Sequence, residues 1–443
     1  MRTIRTSISS GLITVFICLL IILVYPGLLK GEGIPSVEAV LRGDAKLPTV
    51  EALTHGKVKV GDLIDKDNMG LVKDYLTTGT IVAIERGLVL RMGRQLPPDQ
   101  LVPKYFRDIT EKNRGKAIMD ENGTVYYEKV GTLWPGGVPF VEPKTGLEVA
   151  ANVKYGVVWD DLRNHPVRIL FVDSKGKAYK RVDQDQKFVY CNTRTKEPPL
   201  GAVPGYEKVM FKRFLVITFP LELKGIGQYV VRHYDDAKYY DAGFAYLPAF
   251  KRTIRISATT WQDNIAGSDV THSDGQGLSD PYSEWSFRLM GSRYIMMPEP
   301  KSPIAYVDDN WEISKELRFD VGKKFPRVGW AVWPLHVLEA TPKLKHLYGK
   351  KLLYTSAWPY WPAILPWGLL DLYDRQMKLW KVYISIRGHH YIHEGEPYAS
   401  SYMQYLWDIQ ADHMSQFWMS SALNQLKYKP EDITIRTLLS VGR

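Results

Sequence analysis

Between residues 263 and 274 stand Asp263, Asn264, Asp269, His272 and Asp274, enough oxygen and imidazole donors to hold a metal ion or move a proton. A calcium loop of the EF-hand kind needs oxygen ligands at alternate positions and a glycine at the sixth, where the chain turns sharply. Counted from Asp269, the sixth place is Asp274, glycine arrives one place late at Gly275, and no Glu occupies the twelfth. Turn chemistry accounts for the same residues. Gly267 permits unusual dihedrals, and Ser268 and Asp269 can bond their own backbone. The expectation is therefore a structural loop through Gly267, Ser268, Asp269 and Asp274, with no metal.

A second cluster, GHHYIHEGE, holds His389, His390, His393, Glu394 and Glu396. Zinc can use two His and a carboxylate, but the His-Glu-x-x-His spacing on a helix is missing, and the stretch follows a strand-like run. An exposed polar surface is the expectation; a metal-dependent hydrolase built on the three His is the enzymatic alternative. The chain has no Gly-x-Ser-x-Gly elbow, no cysteine in a nucleophile signature and no phosphate-cradling glycine loop. Cys191, in FVYCNTRT, reads as a lone half-buried thiol. No enzyme and no cofactor are expected.

Aromatic residues form the third constellation. GWAVWPLHV carries Trp330 and Trp333, and SAWPYWPAILPWG carries Trp358, Tyr360, Trp361 and Trp367. Pro359, Pro362 and Pro366 keep the second stretch from being a regular strand or helix. Large apolar side chains on an irregular segment serve either as a lid on the core or as the lining of an apolar pocket. Both readings stay open at this point.

The elements that must position these groups are mostly strands. With 45% hydrophobic and 24% charged residues the composition is that of a globular protein and excludes a disordered one. Asn122-Gly123 between β-prone runs signals a hairpin, and RILFVDSKGKAYKRV repeats the pattern with a turn from Asp173 to Gly176. EKVMFKRFLVITFPLEL, QYVVRHY, LHVLEA, KKLLYTSAW and LWKVYISIRG continue the series. Ile254 and Ile256 alternate with Thr253 and Arg255, the period of a half-buried strand. Short helices are expected in IPSVEAVLRG and DNMGLVKDYLTTGTIVAIERGL. SSYMQYLWDIQADHMSQFWMSSALNQL is ambiguous: propensity favours helix, the neighbouring pattern favours strands. The fold class is β-dominated α+β, antiparallel and hairpin-connected.

The chain starts differently. Arg2 and Arg5 precede an uncharged stretch to Leu29 with a dense apolar core from Leu12 to Val24, the n-region and h-region of a secretory signal. PGLLKGEG makes a poor cleavage site, so residues 1–31 read as a signal peptide or an N-terminal anchor. Residues 32–114 then read as a helical segment packed on a β domain spanning 115–443. Past the signal, 55 basic side chains face 48 acidic ones, scattered and not clustered; nucleic acid is not an expected partner. One cysteine outside the signal leaves no intramolecular disulfide, so the fold stands on its core.

At residues 242–291 the chain resembles a known group. AGFAYLPAFKRTIRIS followed by GSDVTHSD resembles the strand pair and Gly-Ser-Asp loop of outer-membrane lipoprotein-sorting-like proteins, through Phe244, Tyr246, Pro248, Ile254, Arg255, Ile256, Gly267, Ser268, Asp269 and Asp274. SEWSFRLMGSRYIMMP, GGVPFVEPKTGLEVAANVKY, LEATPKLKHLYGKKLLY and DLYDRQMKLWKV extend the likeness to an exported proteobacterial family of unknown function within that group. Two departures stand out. Ile254 replaces a second Arg, and the turn glycine expected near Met377 is missing.

The resemblance implies the LolA/LolB-like fold, a strongly curved incomplete antiparallel barrel with helices at its opening. It implies a periplasmic or outer-membrane-associated carrier of lipid or another hydrophobic molecule, working with an envelope exporter or outer-membrane protein. The aromatic side chains then expected to line or gate the cavity are Phe244, Tyr246, Trp285, Trp330, Trp333, Trp358 and Trp361. The rival reading is a ligand-free envelope module that binds an outer-membrane partner through its polar loops.

Overall fold

The computed structural model describes residues 33–94, 101–256, 261–299, 325, 328–360 and 368–441. They fall into two units divided after Pro48. The first contains one short helix, Val37–Leu41, whose N-terminus is capped by Ser36 Oγ accepting from Ala39 N–H at 3.2 Å.

The second unit begins with the helices Val50–Leu53, Thr78–Glu85 and Lys104–Asn113 and the short strands β1 (Leu63–Ile64) and β2 (Leu90–Met92). A small hairpin follows, β3 (Ala117–Met119) and β4 (Val125–Tyr127), turning at Asn122-Gly123 as its dipeptide predicts. The helix Gly146–Tyr155 opens with a capping box, Thr145 and Glu148 satisfying each other's backbone. Six strands come next: β5 (Asp161–Val172), β6 (Ala178–Tyr190), β7 (Val209–Phe219), β8 (Gly227–His233), β9 (Ala242–Leu247) and β10 (Arg252–Ile256). After the 261–284 loop run β11 (Trp285–Pro298), β12 (Gly329–Pro342), β13 (Lys350–Ser356) and β14 (Leu369–Tyr373). The series ends with β15 (Leu379–His393), β16 (Glu396–Asp408), β17 (His413–Leu423) and the helix Ile435–Val441.

Among the described residues fifteen strands make one sheet in the order β1-β2-β12-β13-β14-β15-β16-β17-β5-β6-β7-β8-β9-β10, with β11 paired to β12 off this path. Every pairing among the described residues is antiparallel except that of β2 with β12. Among the described residues β10 pairs only with β9 and β11 only with β12, so the sheet is not closed.

The sheet is bent, and two hydrogen bonds prove it. Arg232 on β8 donates to Ser279 O at 2.8 Å, and Lys351 on β13 donates to Gly277 O at 3.3 Å. Eight strand spacings separate β8 from β13, about 38 Å if flat. Two side chains can meet carbonyls two residues apart only if the sheet wraps round the loop that carries them. The resulting inner cluster joins Val167, Ile169, Leu338, Leu353, Leu406 and Phe417 of the strands to Val149 and Val153 of the Gly146–Tyr155 helix. It also takes in Val270, Leu278 and Tyr282 of the loop.

Strand period decides the rest. Along β7, Ile217 joins the inner cluster, whereas Phe214 and Val216 belong to a second cluster with Tyr229, Tyr246, Ile433 and Leu438, beside the Ile435–Val441 helix. The ambiguous C-terminal stretch is the β16–β17 hairpin, its turn at residues 409–412. β10 is a strand as expected, but an exposed edge: Ile254 is 50% exposed, which corrects the half-buried reading. A period of two marks a strand without saying whether anything covers either face.

Candidate functional site

The 261–284 loop enters the bend of the sheet and is buried there. A bridge between Asn264 and Thr271 ties its base, with Ile265 N–H donating to Val270 O at 2.8 Å. Gly267 takes φ 79, in the left-handed region glycine tolerates, and Ser268 bonds Val270. These local bonds are the turn chemistry expected of the sequence.

What the loop touches was not legible. Asp274 Oδ2 accepts from Thr271 N–H and Oγ1 and from Tyr348 OH, at 2.9, 2.8 and 2.9 Å. Lys351 Nζ donates to Asp274 Oδ1 at 3.0 Å and to Ser273 O and Oγ at 3.1 Å. Its ammonium also lies 4.8 Å from the Tyr348 ring centre. Asp280 Oδ2 accepts from Ser273 Oγ at 2.5 Å and Trp285 Nε1 at 3.1 Å. Asp269 accepts from Ser415 Oγ at 2.8 Å and faces His413 Nδ1 at 2.6 Å, while Lys381 Nζ donates to its carbonyl at 2.7 Å.

Burial pushes the Asp274 carboxyl up, but Lys351, Lys381 and the Thr271 hydrogen bonds outweigh it, so the group sits below the usual carboxylate range. At Asp280 burial outweighs Lys351 and Ser273, and at Asp269 it outweighs Ser415, His413 and Lys381, so both sit above that range. His346, 3.7 Å from Asp280, is lowered to about 4 by burial and then by Lys351.

The lysines did carry a signal in the sequence. In KKLLYTS and LWKVYIS, Lys351 and Lys381 stand in phase with Leu353 and Tyr383 of the inner cluster. A charge in step with the buried face needs a buried partner. The loop supplies it.

Below the loop lies a cavity of about 170 Å³. Its walls are Leu162 and Val167 of β5, Phe188 of β6, Tyr383 of β15, Leu406 of β16 and Phe417 and Met419 of β17, and Ile265 and Val270 of the loop cap it. Polar groups join them at Asn164, Gln186, Gln404, Ser421, Arg213 and Asp274, the last already held by Lys351.

Of the aromatic residues predicted to line a cavity, the described ones do not line this one. Phe244 and Tyr246 pack with the second cluster, Phe244 stacked on Tyr229 at 6.4 Å. Trp285 is buried in the inner cluster with its N–H committed to Asp280. Trp330 and Trp333 are 1% exposed on β12, Trp358 is half-buried beyond β13, and Trp361 lies outside the described residues. Aromatic content marks burial; strand parity decides which face is served.

Of the His cluster, His389 and His390 belong to β15, opposite Ser400 and Ala399, with side chains outside the described set. The His393 ring is 30% exposed and lies 3.9 Å from Glu394. Among the described residues the metal-competent group is Asp269, Asp408 and His413, whose ligand atoms lie within 4.8 Å of one another. Protein donors already occupy it: Trp380 Nε1 bonds Asp408 at 2.8 Å, and Ser415 and His413 bond Asp269. Cys191 is buried and burial pushes its thiol up to about 12, which leaves little reactive thiolate.

A bent, open antiparallel sheet, a mainly apolar cavity and a polar loop locked beside it define a protein built around its concave face. The chain belongs to the family described as "Protein of unknown function (DUF1329)", whose model matches residues 63–434. Similar solved structures include a putative outer membrane lipoprotein-sorting protein domain from Vibrio parahaemolyticus, 16% identical, covering 66% of this chain and 98% of that one with a TM-score of 0.44. Another is a DUF1329 family protein from Desulfovibrio piger, 15% identical, with 66% and 97% coverage and a TM-score of 0.45. A LolA superfamily protein from Nitrosomonas europaea is 12% identical, with 66% and 98% coverage and a TM-score of 0.37. No curated protein matches the chain. Among the described residues no helix is long and apolar enough to cross a membrane.

Proposed function

We propose that this protein binds and carries a lipid or another hydrophobic molecule in the cell envelope, using the concave side of its bent sheet as an incomplete barrel. The observation that carries this reading is the cavity of about 170 Å³, walled mainly by Leu162, Val167, Phe188, Leu406, Phe417 and Met419. Each methylene moved from water into such a site is worth about 0.8 kcal/mol, so a carrier needs greasy walls and a cover, and no catalytic group. The sequence resemblance to lipoprotein-sorting-like proteins points the same way. Its N-terminal stretch suits export to the periplasm, where an exporter or outer-membrane protein would be the partner.

The test is uptake of the neutral fluorescent probe N-phenyl-1-naphthylamine by the folded protein. Saturable enhancement that Val167→Trp abolishes, with the fold intact by circular dichroism, supports carriage. Absence of any enhancement, or enhancement indifferent to Val167→Trp, counts against it.

A further inference from the structure

Arg213 is out of place in an apolar cavity. It sits on β7 in phase with Ile217 of the inner cluster and contributes to the cavity wall. Among the described residues its guanidinium makes one hydrogen bond, to Gln228 Oε1 at 2.7 Å, and no ion pair, and its Nε has no partner. A guanidinium carries five N–H donors in a planar fork suited to a carboxylate or phosphate.

The neighbouring charges do not answer it. The acid that acts on it, Asp241, is bound through both oxygens to Arg232, at 2.9 and 3.1 Å. Arg232 repels it. His272, on the covering loop, is held down to about 4 by burial and by Arg213's charge, so at neutral pH it offers no charge of either sign. Burial first, and Arg232 after it, outweigh Asp241 and bring Arg213 down to about 10, which leaves it cationic at neutral pH. Arg213 is half-buried with its Nε shut off from solvent, and a cation so placed gives up hydration that an anionic partner would restore.

We infer that the cavity takes an anionic amphiphile, its carboxylate or phosphate head on Arg213 and its chain along Leu162, Val167, Leu406 and Phe417. This deepens the carrier reading and rests on it.

The test compares three ligands of equal chain length as displacers of N-phenyl-1-naphthylamine: dodecanoate, dodecyl phosphate and dodecanol. Buried hydrogen bonds to a charged head favour the two anions over the alcohol by roughly ten- to a hundredfold. Arg213→Gln reduces that preference to within about threefold while dodecanol binds as before, and Arg213→Lys keeps part of it. The tighter anion names the head group. Equal displacement by acid, phosphate and alcohol, or a preference that survives Arg213→Gln, overturns the anchor and leaves carriage standing. Because the ligand series is run first on the natural protein, a variant that fails to fold does not spare the inference. If the probe binds and none of the three displaces it, the anionic cargo is refuted; if the probe does not bind, carriage falls and the anchor with it.

Discussion

Lys351 Nζ lies 3.0 Å from Asp274 Oδ1, and both side chains are shut away from solvent. One belongs to a strand of the bent sheet and the other to the loop that fills the bend. Breaking such a pair leaves a buried charge alone, at a cost of about 3–5 kcal/mol. Lys351→Met and Asp274→Asn should each lower stability by that order in urea titrations. The double variant should lose clearly less than the two single losses added. Simple additivity would mean that the pair does not hold the loop.

Acidification should release stability through His346. Its folded pKa of about 4 lies below the unfolded value of 6.5, so between those pH values the unfolded chain binds the extra proton. The stabilisation is therefore present above about 6.5 and lost as the pH falls toward 4. Asp161 and Asp371, each raised to about 6 by burial, act in the opposite sense, so the difference from a variant is the cleaner quantity. Between pH 7 and 4.5 the natural protein should lose about 2 kcal/mol more than His346→Gln. Parallel pH curves for the two would contradict the assignment.

Gly79 is the second residue of the Thr78–Glu85 helix, and its N–H donates to Asp371 Oδ1 at 3.1 Å. A Cβ there would stand 2.3 Å from that oxygen and 2.9 Å from the Val382 methyls. Ala normally improves a helix over Gly by about 1 kcal/mol. Here Gly79→Ala should destabilise by roughly 1–3 kcal/mol, because a well-packed site does not accept the methyl. A rise in melting temperature would show that the contact yields.

Met377 occupies φ 62 in the β14–β15 turn, closed by Asp374 N–H to Lys378 O at 2.9 Å. The left-handed region costs a non-glycine residue about 1–2 kcal/mol. Met377→Gly should therefore stabilise the protein by about 1 kcal/mol, read as a higher urea midpoint at unchanged slope.

Much of this architecture was legible in the sequence. Alternation and turn dipeptides located the β3–β4 and β5–β6 hairpins, and β8, β12, β13 and β15, because local chemistry alone decides them. Gly267 and Ser268 make the turn contacts their types suggest, whereas the Asp269 carboxylate turns to Ser415 and His413. The loop's docking partners were not legible, since Lys351 and Ser415 lie 77 and 146 residues away in sequence from the residues they bind. The wall of this cavity was not legible for a related reason. Trp330 and Phe244 announce burial, whereas the wall is made by Leu162, Val167 and Phe417, ordinary strand residues whose distinction is that the sheet bends round them. Arg213, in FKRFLVI, was visible as a charge in an alternating run, and only the three-dimensional structure shows which face it occupies.

The most direct test of the central claim is native mass spectrometry of the protein purified from its own envelope, with lipid extraction of the same sample. The account predicts a hydrophobic molecule bound in stoichiometric amount and lost on unfolding. An empty protein that also takes up no added amphiphile would contradict it.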